Sequence, residues 1–131
     1  MLKLFLCAGG LLAAAGVAAG SFGAHGLKAW LDATGRADNW ETAVRYCLTH
    51  ALAIMVIAVA SGLPQAAAAQ GRLAAAGWCF LLGTLVFSGC LAALALTGVR
   101  VLGAIVPIGG VLFLVGWACV VAAALAVRSA D

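Results

Sequence analysis

The sequence predicts an all-α integral membrane protein: a four-helix bundle with up-down-up-down topology and a short interfacial helix between spans one and two. Two observations carry this. Residues 4–27, 46–71, 73–99 and 101–127 contain no Asp, Glu, Lys or Arg, and each stretch exceeds the roughly 20 residues a helix needs to cross the hydrocarbon core. Charged residues make up only 8% of the chain, against about 25% in soluble domains, so lipid rather than water is the main solvent. The 131 residues suit a single membrane domain, with spans at about 4–24, 39–62, 73–96 and 101–127.

Span one is rich in Gly and Ala. Gly16 and Gly20 form a GxxxG pair, Ala24 continues the spacing, and Gly23 lies on the next turn. Small residues four apart let helix backbones approach closely, so Gly16, Gly20 and Gly23 are expected at a helix–helix contact, more readily within the chain than between copies. The start, Met1-Leu2-Lys3 before an apolar run, has the look of a signal peptide. The run is long, however, and three more spans follow, so it reads as a retained span.

Residues 25–37 form the longest polar connection. Leu27, Trp30 and Leu31 alternate with Lys28 and Asp32 at helical spacing, as in a short helix lying in the interface with Trp30 at headgroup depth. Gly35 should end it. Asp38 and Glu41, three apart, have the pattern of a capping box, which starts span two near Asn39, outside the hydrocarbon. Leu63-Pro64-Gln65 breaks that span, residues 66–70 connect, and Arg72 marks the interface before span three. Thr97-Gly98-Val99-Arg100 is a short turn. Span four contains Pro107, which lacks an N–H and kinks a helix, followed at once by Gly109 and Gly110, which permit tight packing there. Short connections imply antiparallel neighbours.

The basic residues stand singly, at Lys3, Lys28, Arg36, Arg45, Arg72, Arg100 and Arg128. They anchor span ends and form no stripe for nucleic acid. Counting them does not orient the chain: Lys3, Arg72 and Arg128 fall on the terminal side, the other four opposite, with Arg45 discounted as a partner of Glu41. The five cysteines, Cys7, Cys47, Cys79, Cys90 and Cys119, have no metal-ligand spacing. They read as small buried hydrophobes, with Cys47 near an interface.

The polar residues worth weighing are His25, Glu41, Arg45, Tyr46 and His50. Glu41 and Arg45 are four apart, in the favourable order for a helical ion pair. Tyr46 and His50 share a helix face, and His25 ends span one on the side where span two begins. These five are expected to converge at one end of the bundle, with His25, Tyr46 and His50 close to Pro107. An ionisable group at membrane depth is a functional-site hypothesis by default. The bland alternative is a neutral His50 hydrogen-bonded to Tyr46 or to a carbonyl near Pro107. A haem between His25 and His50 rests on residue type alone. No cofactor and no metal is expected. Proton relay, quinone binding and headgroup binding stay open for this cluster.

Several motifs recur in order along the chain. Gly20-Ser21-Phe22-Gly23-Ala24-His25, Trp40-Glu41-Thr42-Ala43, Tyr46 and His50-Ala51-Leu52-Ala53 resemble the bacterial YgdD/YwdK-like membrane proteins, which have small mitochondrial transmembrane relatives. Gly83, Phe87-Ser88-Gly89, Leu102-Gly103, Pro107-Ile108-Gly109-Gly110, Phe113 and Gly116-Trp117 extend the resemblance over nearly the whole chain. Cys90 stands where Ser is common, Ala92 where an aromatic is frequent, and the C-terminus is less basic than is typical. The resemblance implies a four-span protein of the bacterial inner membrane with cytoplasmic termini and no established activity.

With no nucleophile beside a base and no ligand set, the sequence does not read as an enzyme. The leading expectation is an accessory or scaffold subunit of a larger membrane complex, such as a respiratory one. Its partners would be membrane lipids and either other subunits or further copies of itself. One alternative is an oligomeric carrier of small solutes or ions, although no internal repeat supports it. Another is lipid binding or membrane homeostasis.

Overall fold

The computed structural model describes residues 1–127. It contains helices α1 (Leu2–Ala24), α2 (Lys28–Ala33), α3 (Ala37–Ala60), α4 (Gln70–Thr97) and α5 (Val101–Ala124), with a 3-10 turn at Pro64–Ala69. Four of them, counting the 3-10 turn together with α4, are long and apolar enough to span a membrane.

The boundaries follow local chemistry. The six-residue α2 carries a Lys28–Asp32 ion pair at 3.1 Å and ends at Gly35, whose φ of +65° is a conformation glycine reaches without a Cβ penalty. The Arg36 N–H then donates back to the Leu31 carbonyl at 3.0 Å. This turn is so tight that α3 begins at once, at Ala37. The capping box is therefore not formed. Arg36 holds the N-cap position without a side-chain cap, and Asp38 lies inside the first turn, where its carboxylate still complements the helix dipole.

Pro64 begins a 3-10 turn rather than a loop, because Leu63 before it is extended, as a residue preceding proline prefers. The turn runs directly into α4, which therefore starts at Gln70, three residues before the expected Leu73. The Gln70 side chain donates to the Ser61 carbonyl at 2.7 Å and ties this corner together. At the far end Gly98 adopts φ +76° and closes α4. The Arg36 guanidinium donates to the Ala95 carbonyl there at 3.0 Å and lies 4.8 Å over the Trp30 ring. A cation at a helix C-terminus satisfies carbonyls that have no intrahelical partner.

The helices pack in the order α1, α3, α4, α5, while α1 and α5 are not paired with each other. Contacts at glycines set the register. Gly23 faces Trp40, Gly20 faces Val44, Gly16 faces Leu48, and Gly9 faces Ala51 and Met55. Between α3 and α4, Tyr46 meets Phe87 and His50 meets Phe80. Between α4 and α5, Gly103 faces Leu94, Gly109 faces Phe87, and Gly116 faces Phe80. Each pair counts up on one helix and down on the other, so neighbours are antiparallel and the topology is up-down-up-down.

The tightest approach joins α4 and α5. A Cβ on Gly109 would stand 2.6 Å from the Phe87 backbone N and 2.9 Å from the Gly83 carbonyl O. Backbone atoms cannot swing aside, so only glycine fits. Gly110 has ordinary contact, with its nearest atom 3.9 Å away in the Phe87 ring. Pro107 lies inside α5, which runs unbroken through it, and Pro107 itself is exposed. In α1, Gly16 and Gly23 are seats for Leu48 and the Trp40 indole, whereas a Cβ on Gly20 would make only ordinary contact, with Val44 at 3.4 Å.

Gly109→Val should lower stability in detergent by about 1–3 kcal/mol, the usual cost of overpacking. Gly10→Val, on an open face with nothing within 4 Å, should leave thermal unfolding unchanged. Equal melting of the two variants would show that the α4–α5 crossing is looser than described.

Candidate functional site

The register fixes depth. The apolar run of α1 ends at Ala24, next to Gly23, and Gly23 is level with Trp40. From Trp40 to the end of α3 at Ala60 the helix rises about 30 Å, the thickness of the hydrocarbon core. From Trp40 onward α3 is thus long enough to cross that core, and Trp40 marks on this helix the level at which α1 ends. Glu41 lies one residue past that level, and Arg45, four residues further on, about 6 Å beyond Glu41 along the helix. Tyr46 lies about 9 Å and His50 about 15 Å along α3 from Trp40, so His50 is near the middle of this stretch.

The five polar residues do not form one cluster. Glu41 and Arg45 look out from one face of α3. Tyr46 and His50 look the other way, towards α4 and α5. Positions 41 and 45 are offset from 46 and 50 by about 100° to 180° around the helix, which turns the two pairs to different sides. His25 is exposed at the end of α1, level with the top of α3. Ten residues of α3 separate Trp40 from His50, about 15 Å, so His25 and His50 cannot share a haem or a metal ion.

His50 sits in a box of rings. It is 3% exposed and stacks on Phe113 at 3.5 Å between centroids, with planes 9° apart. Phe80 is at 5.4 Å, Tyr46 at 5.9 Å and Trp117 at 6.2 Å. Its Nδ1 is 2.9 Å from the Tyr46 carbonyl O. A carbonyl only accepts, so Nδ1 carries the proton and donates. Nε2 has no hydrogen-bond partner. The box is aromatic packing around one satisfied nitrogen, and the bond goes to Tyr46 rather than to a carbonyl near Pro107.

Glu41 and Arg45 belong to a different place. They line a groove of about 620 Å³ between the end of α1, α2 and the outer face of α3. Gly20, Gly23, Leu31, Val44 and Leu48 make its apolar floor, and Lys28 and Asp32 stand at its mouth. Lys28 and Asp32 pair with each other, and theirs is the only ion pair among the described residues. The expected Glu41–Arg45 pair is not formed; both side chains are exposed. The nearby Thr49 hydroxyl is already used, donating to the Arg45 carbonyl at 2.9 Å. The groove thus offers one free carboxylate and one free guanidinium over an apolar floor. Helix side chains tilt towards the N-terminus, which here means back towards the interface, so Arg45 reaches up towards the level of Glu41.

A second, smaller groove of about 200 Å³ lies between α1, α3 and α4, lined mostly by small residues such as Ala15, Gly16, Ala43 and Gly89. The Ser88 hydroxyl is buried there without a partner. The cysteines are all free. Cys7 is exposed and the other four are half-buried, so none is the fully buried hydrophobe expected of it. Cys47 is not near an interface either; its thiol donates to the Leu12 carbonyl at 3.4 Å, in the middle of α1. No group of three or more His, Cys, Asp or Glu among the described residues could hold a metal ion.

Sequence reading missed Trp40 and Arg36. The Trp40 indole N–H donates to the Ala19 carbonyl at 3.0 Å while the ring fills the seat at Gly23, so one residue locks α1 to α3 by shape and by a bond. The available signal was a lone Trp at the hydrocarbon edge, level with a glycine-rich helix end. Arg36 gave no signal, because its partner Ala95 is far away in the sequence.

The chain matches the family described as "Protein of unknown function (DUF423)" over residues 19–110. It is 44% identical to the UPF0382 membrane protein SH2409 of Staphylococcus haemolyticus, over 88% of this chain and 90% of that protein. It is 44% identical to the UPF0382 membrane protein SERP0230 of Staphylococcus epidermidis, over 95% and 97%. It is 37% identical to the UPF0382 membrane protein YwdK of Bacillus subtilis, over 95% and 98%. No solved structure matches it.

The ring box makes a prediction for His50. His50→Phe should melt close to wild type, because the new ring stacks on Phe113 and removes the unpartnered Nε2. His50→Asn should lose at least about 2 kcal/mol, since it leaves a hole in an aromatic stack. An Asn variant as stable as the Phe variant, in thermal unfolding followed by tryptophan fluorescence, would show that hydrogen bonding and not packing holds this site.

Proposed function

The chain belongs to the DUF423 family of membrane proteins, and from that premise we propose that it works by binding rather than by catalysis, as an accessory subunit of a larger membrane assembly. One observation carries this reading. Glu41 and Arg45 stand on an exposed face of a helix long and apolar enough to cross a membrane, beside a groove of about 620 Å³, and are unpaired among the described residues. An ionisable group on a membrane-crossing helix is expensive unless it meets a partner. The chain supplies none for these two, so the partner comes from outside it. A respiratory assembly is the first kind to test.

Binding is favoured over solute transport for a geometric reason. On the far side of α3, at mid-depth, the bundle is filled by the stacked rings of His50, Phe113 and Phe80. A carrier needs a polar path where these rings pack. The proposal keeps both termini in the cytoplasm and the chain in the bacterial inner membrane, which puts the groove on the outer side. Terminal reporter fusions active only outside the cytoplasm would reverse that orientation.

The reading is tested by purifying the tagged protein in mild detergent and identifying bound proteins and lipids by mass spectrometry. A membrane partner should co-purify with wild type and be lost from the Glu41→Gln, Arg45→Gln double variant. The variant should fold normally, because it removes charge from an apolar setting. A partner set unchanged in the double variant would sink the reading.

A further inference from the structure

We infer that the groove between α1, α2 and α3 is a site for one phospholipid whose headgroup carries both a phosphate and a primary ammonium, with the phosphate on Arg45 and the ammonium on Glu41. This rests on the reading of the groove as a binding site and names its occupant.

The first argument is charge complementarity. Four charged side chains line the groove: Lys28, Asp32, Glu41 and Arg45. Lys28 and Asp32 neutralise each other at 3.1 Å. What is left is one cation and one anion, one helical turn apart and unpaired. Their net charge is zero, but their poles are separated. A purely anionic headgroup would satisfy Arg45 and leave the Glu41 carboxylate facing like charge. A zwitterionic headgroup satisfies both. Arg presents a fork of N–H donors that matches phosphate oxygens. A carboxylate only accepts, so it is completed by an ammonium that still has N–H groups to donate.

The choice of a primary over a quaternary ammonium follows from what the groove lacks. Recognition of a trimethylated ammonium uses open aromatic faces. The one aromatic residue in the lining is Trp40, and it is 8% exposed, with its indole committed to Ala19 and seated on Gly23.

The second argument is position. The groove opens beside the short α2, at the end of the bundle where α1 stops and α3 begins, so its charges lie near the ends of the apolar spans, where a long Arg45 side chain can snorkel. Beneath them the same face of α3 continues through Leu48, Leu52 and Val56, the last two being 60% and 66% exposed. A chain anchored by its headgroup at Glu41 and Arg45 would lie along this apolar track. The volume, about 620 Å³, is within the usual range for a small amphiphile site.

The test is native mass spectrometry of the full chain in detergent micelles, with phosphatidylethanolamine, phosphatidylglycerol and phosphatidylcholine of identical acyl chains added in turn. Wild type should retain one phosphatidylethanolamine in preference to the other two. Arg45→Gln should weaken retention by at least about tenfold, and Arg45→Lys should fall between. Glu41→Gln should keep lipid binding but lose the preference for phosphatidylethanolamine over phosphatidylglycerol. Thermal unfolding of the lipid-free variants in detergent checks that each is folded. Equal retention of all three lipids by wild type, or a preference untouched by Glu41→Gln, overturns the inference. A protein segment cross-linked to a photoreactive residue at position 48 in native membranes overturns it too, while leaving the binding role of the groove standing.

Discussion

Lipid gives helices no hydrophobic reason to associate, so this molecule depends on how closely its backbones can approach. Gly9, Gly16 and Gly23 admit Met55, Leu48 and Trp40 from α3; Gly77 admits Phe5; Gly83, Gly109 and Gly116 bring α4 and α5 together. These contacts do more than hold the helices. They fix register, and register fixes depth. Because Gly23 is level with Trp40, Glu41 and Arg45 lie alongside the last turns of α1 rather than beyond its end. Because Phe80 seats on Gly116 and Phe113 on Gly83, the aromatic box closes around His50 near the middle of α3. Shifting one pair by a turn would move both sites by about 5 Å.

The polar groups follow the rule that hydrocarbon solvates nothing. Thr84 donates to the Phe80 carbonyl, Thr49 to Arg45, Ser61 to Ile57 and Thr97 to Ala93, each bond closing within its own helix. Two polar side chains reach across to another helix by a strong donor instead: Trp40 to Ala19 and Arg36 to Ala95. Both lie in the half of the bundle where α2 lies over the packing. At the opposite corner the Gln70–Ser61 bond plays the same part. The core between these ties needs only shape. His50 fits that pattern as a flat ring with one internal bond, held by Phe113 rather than by a charge.

Much of the fold was legible in the sequence, because the four charge-free runs are long and lipid permits few alternatives to a helix. Gly35 and Pro64 announced their turns through backbone chemistry that acts over one or two residues. The failures share a cause. The capping box at Asp38 failed because Gly35 folds the chain back so tightly that α3 begins two residues early. The single polar cluster failed because topology brings helix ends to one side of a membrane without saying which face of α3 each residue takes. Tyr46 follows Arg45 directly, yet a rotation of 100° per residue sends one against the rings of Phe87 and Phe113 and the other to the groove. Arg36 and Trp40 escaped notice because their partners lie on other helices, and register across helices is not written in any local pattern.

The placement of α3 explains why one helix carries both candidate sites. It packs between α1 and α4, and it is the span with the largest buried share, 39% against 17% for α1 and α5. A helix with two packed sides has little surface left to show to lipid. What it does show begins with Glu41 and Arg45, where an outward Leu would have served a lipid-facing span better. Insertion of such charges costs about 2.5–3.5 kcal/mol each at the centre of a helix, less near its end and less again with snorkelling. Nothing in the packing of α1, α3 and α4 needs that expense: the contacts at Gly16 and Gly23 and the bond from Trp40 to Ala19 are made without either residue. The contacts that hold the bundle would survive neutral side chains at both positions, so nothing in the fold itself accounts for the two charges.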